Sequence, residues 1–447
     1  RSPALIEVGS NTETLRTRLS FVTAMHFSAN RSWAYPQQIE ALLLELVAPL
    51  DQRLTTKLGY PASPIIRLWR RLRDRTFARL TAFHSARQAV QDDPLTEECL
   101  ETLLGQLDEL GIASLTSTIR QADSNERRQA SITSHASCLF KFTMEDFLAL
   151  VPELGPDALR RYLTDRSFEL GQLFTCELSK AVTWNPIWLK PLIKLDADSF
   201  LIPLPSLFHA FAFLHLETLF KSAGLLPEYS ERRSAFLEAN VAALFGQAFP
   251  SASQFPCSEF SQGGKDGEND LLVKVGNWLI VVEAKSHKVN PPERRGAPKS
   301  LHDKIQRLLA EPSDQSYRFA AYLASHPGRH SLRRRKGPPN EVDTTDSVRI
   351  LRLSVTLESL GPAATNVLAL QEIGIAEKDN RCATTMHLLD LATVFEILPT
   401  EEQRLDYLFR RSDLQGQCGL IGQERDLLML YVASALRVSW RPSELGD

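Results

Sequence analysis

Two carboxylates and a lysine lie in one short segment of the sequence. The segment reads Asp270-Leu-Leu-Val-Lys-Val-Gly276-Asn277-Trp-Leu-Ile-Val-Val-Glu283-Ala-Lys285. Gly-Asn divides two runs of β-favouring residues, which is typical of a hairpin with a two-residue II′ turn. We therefore predict an antiparallel pair of strands that carries Asp270, Glu283 and Lys285.

A two-residue turn fixes which residues of the two strands face one another. With Val275 opposite Trp278, the same register places Asp270 opposite Glu283. Cβ atoms of directly opposed residues are about 4.5–5.5 Å apart, and like charges at that separation destabilise a sheet. A divalent cation between the carboxylates would remove the repulsion. Lys285, two residues after Glu283, is predicted to project from the same face.

The other face of the predicted hairpin is apolar throughout. Its residues are Leu271, Val273, Val275, Trp278, Ile280, Val282 and Ala284. We expect this face to pack in a core, and part of the charged face to serve chemistry.

Carboxylate oxygens are the ligands that Mg²⁺ and Mn²⁺ prefer, and water, phosphate oxygens and the Ala284 carbonyl would complete the set. Such an ion acidifies bound water, while Lys285 could orient that water and stabilise the negative charge of a phosphoryl transition state. The alternative is that Glu283 and Lys285 are exposed strand residues in surface ion pairs. Glu-Ala-Lys ends the most apolar run of its region, which favours the functional interpretation.

This arrangement resembles the motif of the PD-(D/E)XK nuclease superfamily, an acid at the start of one strand and (D/E)-x-K at the end of the next. Here Asp270 matches the first element and Glu283-Ala284-Lys285 the second, while Asn269 stands where the literal motif has proline. The resemblance covers residues 226–360. It implies a restriction-endonuclease-like mixed sheet flanked by helices.

Two further elements match the family in order. An upstream helix predicted over 233–245 carries Glu238, where many members have an additional acid, and a downstream helix contains Gln315. The resemblance implies that Glu238 joins the metal shell directly or through water, and that Gln315 positions Lys285 or a phosphate. The alternatives are a glutamate on a helix surface and a glutamine that caps a helix.

Basic residues are concentrated just after the hairpin, although the net charge of the chain is −3. Residues 285–336 contain 13 Lys and Arg against 4 Asp and Glu. Lys288, Lys304, Arg307 and Arg318 are sensible phosphate contacts if they line one face; otherwise they form a solvated exterior. Aromatic residues that would mark a single-strand stacking groove are few, so duplex DNA is favoured.

The rest of the sequence predicts an α/β protein of several domains. The segments are a mainly helical domain (1–135), an α+β connector (136–225), the nuclease domain (226–375) and a helical segment (376–447). In the first, we interpret the Arg-rich helix over 65–83 as a solvated face rather than a phosphate site. In the second, His209 and His215 lie in a very apolar helix and are expected to be core residues rather than metal ligands.

Composition sets the broad class. A chain of 447 residues with 43% hydrophobic and 23% charged residues is ordinary for a soluble globular protein. The six cysteines are scattered singly, which fits a reducing compartment, and the cytoplasm is the expected location. The most apolar stretch, 200–220, contains prolines, histidines and a glutamate, so we expect no membrane span.

The sequence therefore predicts a metal-dependent endonuclease that hydrolyses DNA phosphodiester bonds with Mg²⁺ or Mn²⁺. A second interpretation is a non-catalytic platform that binds nucleic acid or protein and retains the nuclease fold. A third is a nuclease of bacterial defence or restriction whose flanking domains sense a partner. A homodimer would suit cleavage of paired strands, and the flanking domains offer surfaces for it or for a partner subunit.

Overall fold

The computed structural model describes residues 17, 20–21, 23, 33–91, 97–124, 127–128, 136–175, 185–262, 265–294, 296–334, 337–347, 349–375, 382–415 and 422–436. The chain divides into two compact units. We call residues 30–229 the N-terminal unit, and residues 230–447 with the described residues before residue 30 the C-terminal unit. The finer division into four segments stays a prediction.

The N-terminal unit is mainly helical. Its helices are α1 (Pro36–Val47), α2 (Asp51–Leu58), α3 (Ala62–Gln91), α4 (Glu97–Glu109), α5 (Ala113–Arg120), α6 (Met144–Leu150), α7 (Pro156–Asp165), α8 (Leu207–Ala210) and α9 (Ala212–Ser222). Four short strands are β1 (Lys141–Thr143), β2 (Ser167–Glu169), β3 (Leu192–Lys194) and β4 (Ser199–Leu201). They form a sheet in the order β1-β4-β3-β2. Strands β3 and β4 pair antiparallel.

The arginines of α3 fasten this helix to its neighbours. Arg79 is fully buried and donates hydrogen bonds to the carbonyls of Leu110 and Lys141 at 2.8 and 2.7 Å, with Asp146 as its ion-pair partner. Arg71 donates to the last carbonyl of α6 at 2.5 Å. The interpretation of this run as a solvated face is therefore wrong for these two residues, because their guanidinium groups satisfy backbone carbonyls.

His209 and His215 are core residues, which confirms the expectation. Both side chains are buried, and the ring of His215 lies 5.5 Å from that of Trp69 and 5.7 Å from that of Phe208. Burial lowers the pKa of His209 to about 4, so this imidazole stays neutral near pH 7.

The C-terminal unit contains a seven-stranded mixed sheet. Its strands are β5 (Ser253–Gln262), β6 (Lys265–Val275), β7 (Trp278–Lys285), β8 (Arg329–Arg334), β9 (Asn340–Asp343), β10 (Arg349–Thr356) and β11 (Thr384–His387). They lie in the order β11-β10-β7-β6-β5-β8-β9. Strands β5, β6 and β7 pair antiparallel, β10 and β11 continue the sheet parallel to β7, and the β8–β9 hairpin extends it beyond β5.

Helices flank this sheet and follow it. Those that begin after residue 225 are α10 (Leu226–Ala248), α11 (Pro291–Arg294), α12 (Pro298–Ile305), α13 (Glu311–Ser325), α14 (Val367–Glu372), α15 (Leu388–Ile397), α16 (Glu401–Gln415) and α17 (Glu424–Ser434). A π-helical turn, Gln306–Ala310, joins α12 to α13. The protein is thus a mixed α/β protein, as predicted.

The β6–β7 hairpin has the predicted register, with Leu272 opposite Val281 and Val275 opposite Trp278. Gly276 has a φ of 55°, and Asn277 is not among the described residues with positive φ. Positive φ at the first turn position alone is what a II′ turn requires. The local turn therefore sets the pairing of the two strands.

Both faces of the hairpin are covered in its middle. Leu272 and Val281, on the charged face, pack with Phe319 of α13, while Val273 and Ile280 on the other face are fully buried. We expected one face to pack in a core and part of the charged face to serve chemistry. On this face the polar side chains lie at the two ends: Asp270, Glu283 and Lys285 at one, and Lys274 near the turn, where it donates to the Asp343 carbonyl.

The β-turn gives a stability prediction. Gly276→Ala should lower the free energy of unfolding by about 1 kcal/mol, because an L-residue is disfavoured at positive φ. An added Cβ would meet nothing within 4 Å, so the cost is conformational. Urea unfolding gives the measurement.

Gly105→Ala, within α4, is the matched control. There too an added Cβ meets nothing within 4 Å, and the φ is not positive. This change should stabilise by about 0.5–1 kcal/mol. Equal effects of the two substitutions would contradict the role of the turn.

Candidate active site

The β6–β7 ladder ends where the acids begin. Its last backbone pair is Leu271 with Val282. Beyond it, side chains of β6 replace the ladder: the Asn269 amide donates to the Val282 carbonyl at 3.0 Å, and the Ala284 N–H donates to Asp270 Oδ2 at 2.7 Å. The strands can therefore separate here without leaving these backbone groups of β7 unsatisfied.

The pairing of β6 with its other neighbour, β5, is also interrupted beside Asp270. Pairing of β5 with β6 continues on both sides of Cys257 but omits Cys257 itself, which lies across from Asp270 and has a φ of 51°. A left-handed backbone is uncommon for a residue other than glycine. Asp270 thus lies between two local breaks in the sheet.

Asp270, Glu283 and Lys285 come together at this opening. Lys285 Nζ lies 2.9 Å from Glu283 Oε2 and 3.5 Å from Asp270 Oδ2. The Asn269 amide donates to the other oxygen of Glu283 at 3.1 Å. The side chain of Glu283 is 1% exposed, whereas those of Asp270 and Lys285 are 21% and 18% exposed. The carboxylate of Glu283 is therefore buried, whereas Asp270 and Lys285 are accessible to solvent.

Burial and mutual charge perturb these groups. Burial, and then the charge of Asp270, raises the pKa of Glu283 to about 7. Burial alone would lower the pKa of Lys285, but Glu283 and Asp270 outweigh it, and the net direction is upward. Lys285 is therefore protonated near pH 7, and its ammonium supplies the positive charge that the two acids require.

The donor set fits a hard divalent cation. Two carboxylates and the Ala284 carbonyl are oxygen ligands of the kind that Mg²⁺ and Mn²⁺ take. Within the described ranges, no group of three or more His, Cys, Asp and Glu could hold a metal ion. The remaining ligands would therefore be water or substrate oxygens, as is usual for Mg²⁺.

Glu238 lies on α10 and is exposed. One turn earlier on the same side of the helix, the Ser234 hydroxyl is 2.8 Å from that of Ser286, the residue after β7. The helix thus passes the end of β7. Glu238 does not form a three-acid cluster with Asp270 and Glu283. Its predicted role in the metal shell stays a prediction.

Gln315 lies on α13 and is half-buried. Its Oε1 is buried without a hydrogen-bond partner among the described residues. Helix α13 has Ala310 as its N-cap and begins at Glu311, so Gln315 lies inside the helix. The alternative that Gln315 caps a helix is therefore wrong. Its Oε1 can accept a hydrogen bond from a donor such as water or a lysine.

Several predicted phosphate contacts lie close to Lys285. The pKa of His287 is lowered by burial and then by the charges of Lys304, Lys285 and Arg307. Burial also lowers the pKa of Lys304, which is 6% exposed, and Lys288 acts on it in the same direction. These cations share one neighbourhood. Sequence reasoning missed His287, whose only signal was its place two residues after Lys285 in the basic segment.

Arg318 and Arg307 are both exposed. Arg318 follows Gln315 by three residues on α13, but no hydrogen bond or ion pair among the described residues involves it. The structure therefore links Lys304 and Arg307 to the neighbourhood of Lys285 and leaves the role of Arg318 a prediction.

A buried ion cluster holds the loop after β7. Glu358, 3% exposed, accepts hydrogen bonds from Arg233 at 2.7 Å, Arg294 at 2.9 Å and the Val289 N–H at 3.0 Å. Arg233 also donates to the Ser286 carbonyl at 2.9 Å. Helix α10, the loop after Lys285 and the end of β10 are thus joined through one carboxylate. Sequence reasoning missed this cluster because its members are distant in the chain.

The cysteines and the most apolar stretch add no second candidate. Cys138 and Cys382 are free thiols in the part of the chain that the structure describes. Within the same ranges, no helix combines the length and hydropathy needed to cross a bilayer.

Comparison of the chain with family models, with curated proteins and with solved structures found no match.

Removal of Glu358 tests the ion cluster. Glu358→Ala should lower the free energy of unfolding by about 3–5 kcal/mol, because two buried guanidinium groups would lose the carboxylate that they share. Chemical denaturation gives the measurement. In the control Arg329→Ala, an 88% exposed side chain is removed, and the expected change is within about 0.5 kcal/mol. A comparably small loss for Glu358→Ala would show that the cluster is not an important stabilising element.

The raised pKa of Glu283 predicts how stability depends on pH in the absence of divalent metal. The unfolded carboxyl titrates near 4.5 and the folded one near 7, so the folded protein retains a proton that the unfolded chain releases between these values. This contribution is complete below pH 4.5 and is lost as the pH rises through 7.

The measurement is the urea midpoint of the wild type and of Glu283→Gln at about pH 5 and about pH 8. The wild type should lose stability relative to the variant at the higher pH, because the amide does not titrate. A difference that is independent of pH would argue against a proton on Glu283 at pH 5.

Proposed function

We propose that the C-terminal unit is a metal-dependent nuclease of the PD-(D/E)XK kind that hydrolyses DNA phosphodiester bonds. The observation that carries the proposal is the convergence of Asp270, Glu283 and Lys285 where β6 and β7 separate, with Lys285 Nζ 2.9 and 3.5 Å from the two carboxylates. A buried acid beside a second acid is costly in a merely structural setting, so this geometry favours a cation-binding role.

The order of elements supports a restriction-endonuclease-like core. Helix α10 precedes the antiparallel strands β5, β6 and β7, helix α13 follows, and β10 returns parallel to β7. This is the helix, strand, hairpin and helix order of the family resemblance, with the downstream strand added beside the hairpin.

Each residue has a distinct role in the proposed reaction. A Mg²⁺ or Mn²⁺ ion held by Asp270, Glu283 and the Ala284 carbonyl would lower the pKa of bound water and neutralise phosphate charge. Asn269 orients Glu283 through its amide. Lys285 holds a proton at Nζ and directs it toward the site, where it can orient water or stabilise negative charge on a phosphate.

An anionic substrate agrees with the surrounding charge. His287, Lys304 and Arg307 lie near Lys285, and Lys304 has no hydrogen bond or ion pair among the described residues. Lys304, Lys285 and Arg307 carry like charges that act together on His287, and an anion from solution would relieve that repulsion. Phosphates of a nucleic acid match that requirement.

Duplex DNA is the favoured form of substrate. A single-strand groove presents aromatic rings on which bases stack. Of the aromatic residues downstream of the basic cluster, Phe319 is fully buried and Tyr322 packs against the same core. Tyr317, on the same helix, is 49% exposed, so α13 offers one ring rather than the series of rings that a single-strand groove presents.

Cleavage of supercoiled plasmid tests the proposal. In Mg²⁺ or Mn²⁺ the wild type should nick or linearise the plasmid, and EDTA should prevent this. Asp270→Ala and Lys285→Ala should each reduce the rate at least about 100-fold, because each removes a group that acts at the scissile phosphate. Gel electrophoresis of time points gives the rates, and circular dichroism checks folding.

Arg329→Ala is the matched control, since it removes a cation of the same unit outside the proposed site and should leave the rate unchanged. Cleavage by Lys285→Ala at the wild-type rate would reject the mechanism. No cleavage by the wild type, together with no heat of Mn²⁺ binding in calorimetry, would favour the alternative of a non-catalytic binding platform.

A further inference from the structure

A second concave site lies at the other end of β7 and β10. It is a cavity of about 320 Å³ whose polar and aromatic lining residues are Trp278, Arg349, Arg352, Phe409, Ser412 and Asp413. Strand β7 begins at this cavity and ends at Lys285. At about 3.3 Å per residue, its two ends are about 23 Å apart. The cavity is therefore separate from the proposed active site.

The cavity exists because β11 is shorter than β10. Strand β11 begins at Thr384, opposite Leu353, so residues 349–352 of β10 extend beyond it. The Arg349 N–H donates toward β7, to the Asn277 carbonyl at 3.4 Å. Because successive residues of a strand direct their backbone groups to opposite edges, the N–H and carbonyl of Ile350 face the open side.

An arginine is held over two aromatic rings at the wall of this cavity. The guanidinium carbon of Arg349 lies 4.8 Å from the ring centre of Trp278 and 5.4 Å from that of Phe409. The two rings meet edge to face at 5.6 Å. Cation–π contact orients a guanidinium group without using its N–H donors.

The donors of Arg349 have no other acceptor in the described part of the chain, where no hydrogen bond or ion pair involves them. A planar fork of N–H groups that is already oriented binds a phosphate or carboxylate well, because little side-chain freedom is lost. Arg349 is therefore a candidate anion contact.

The rest of the lining offers different chemistry. Arg352 donates to the Ser313 carbonyl at 3.1 Å and adds a second positive charge. Ser412 and Asp413 project from α16 and supply a hydroxyl and a carboxylate. Phe409 exposes 41% of its surface, which leaves an apolar face for a planar group. The cavity thus combines cations, an aromatic surface and hydrogen-bonding groups.

We propose that this cavity binds a nucleoside monophosphate. The phosphate lies on Arg349, the base packs against the aromatic wall of Trp278 and Phe409, and Ser412 and Asp413 face the polar edge of the base. A volume of 320 Å³ is at the small end of the range of about 300–1,000 Å³ for ligand cavities, which suits one nucleotide rather than a strand. This site does not depend on the proposed nuclease activity.

Isothermal titration calorimetry of the full chain with AMP, GMP, CMP and UMP, in EDTA, tests the proposal. At least one nucleotide should bind with a Kd below about 100 µM. Inorganic phosphate and the matching nucleoside should each bind at least tenfold more weakly, because each engages only part of the lining. Failure of all four nucleotides to bind at millimolar concentration would overturn the proposal, as would phosphate binding as tightly as the nucleotide.

Variants assign the binding to this cavity. Arg349→Gln should weaken nucleotide binding at least tenfold, and unchanged affinity would overturn the assignment. Arg349→Lys keeps the charge and should give an intermediate affinity; it serves as the test if the glutamine variant does not fold. Asp270→Ala should bind the nucleotide as the wild type does. Loss of binding there would instead locate the nucleotide at the proposed active site.

Discussion

The burial of Glu283 beside a second carboxylate is the interaction around which the C-terminal unit is organised. A buried acid without compensation costs several kcal/mol, and a like charge nearby adds to that cost. Asn269 and Lys285 supply the compensating donors, at 3.1 and 2.9 Å. The Asn269 amide can donate to Glu283 because the backbone pairing of β6 with β7 ends at this point. Beyond it, side chains of β6 form the hydrogen bonds to the backbone of β7.

Elements farther away keep these donors in place. Helix α13 covers the charged face up to the point where the polar residues begin, and β10 runs along β7 with Ser354 opposite Glu283. The ion cluster around Glu358 fixes the loop that leaves Lys285. A rigid frame of this kind is what a cation site needs, because ligands that are already oriented lose little freedom when an ion binds.

Sequence reasoning succeeded where the determinants are local. The Gly276-Asn277 turn specifies the hairpin register, because a two-residue turn forms from residues close in sequence. The helices that the family resemblance implied around Glu238 and Gln315 correspond to α10 and α13. The sequence also predicts that Asp270, Glu283 and Lys285 lie together. For these residues the chain between them is short, and the pleat of the strand decides which side chains share a face.

The determinants that sequence reasoning missed are non-local. Glu358 meets Arg233 and Arg294 across long stretches of chain, and nothing in the neighbouring residues of any of the three indicates the other two. The arginines of α3 were interpreted as a solvated face because their backbone acceptors carry no side-chain signal. Periodicity also could not reveal that α13 covers the charged face of the hairpin, since that depends on where a helix docks.

The pairing of β7 with β10 has a consequence for the order in which the site can form. Ser354 and Glu283 are neighbours in the sheet but about seventy residues apart in the chain, whereas β5, β6 and β7 are joined by short turns. Contacts of long sequence separation close late, because the loop entropy must be lost before the contact stabilises the chain. During synthesis, the hairpin can therefore exist with Glu283 still hydrated. The acid is dehydrated only when β10 and α13 arrive, so the least favourable step of assembly is postponed until most of the stabilising core is present.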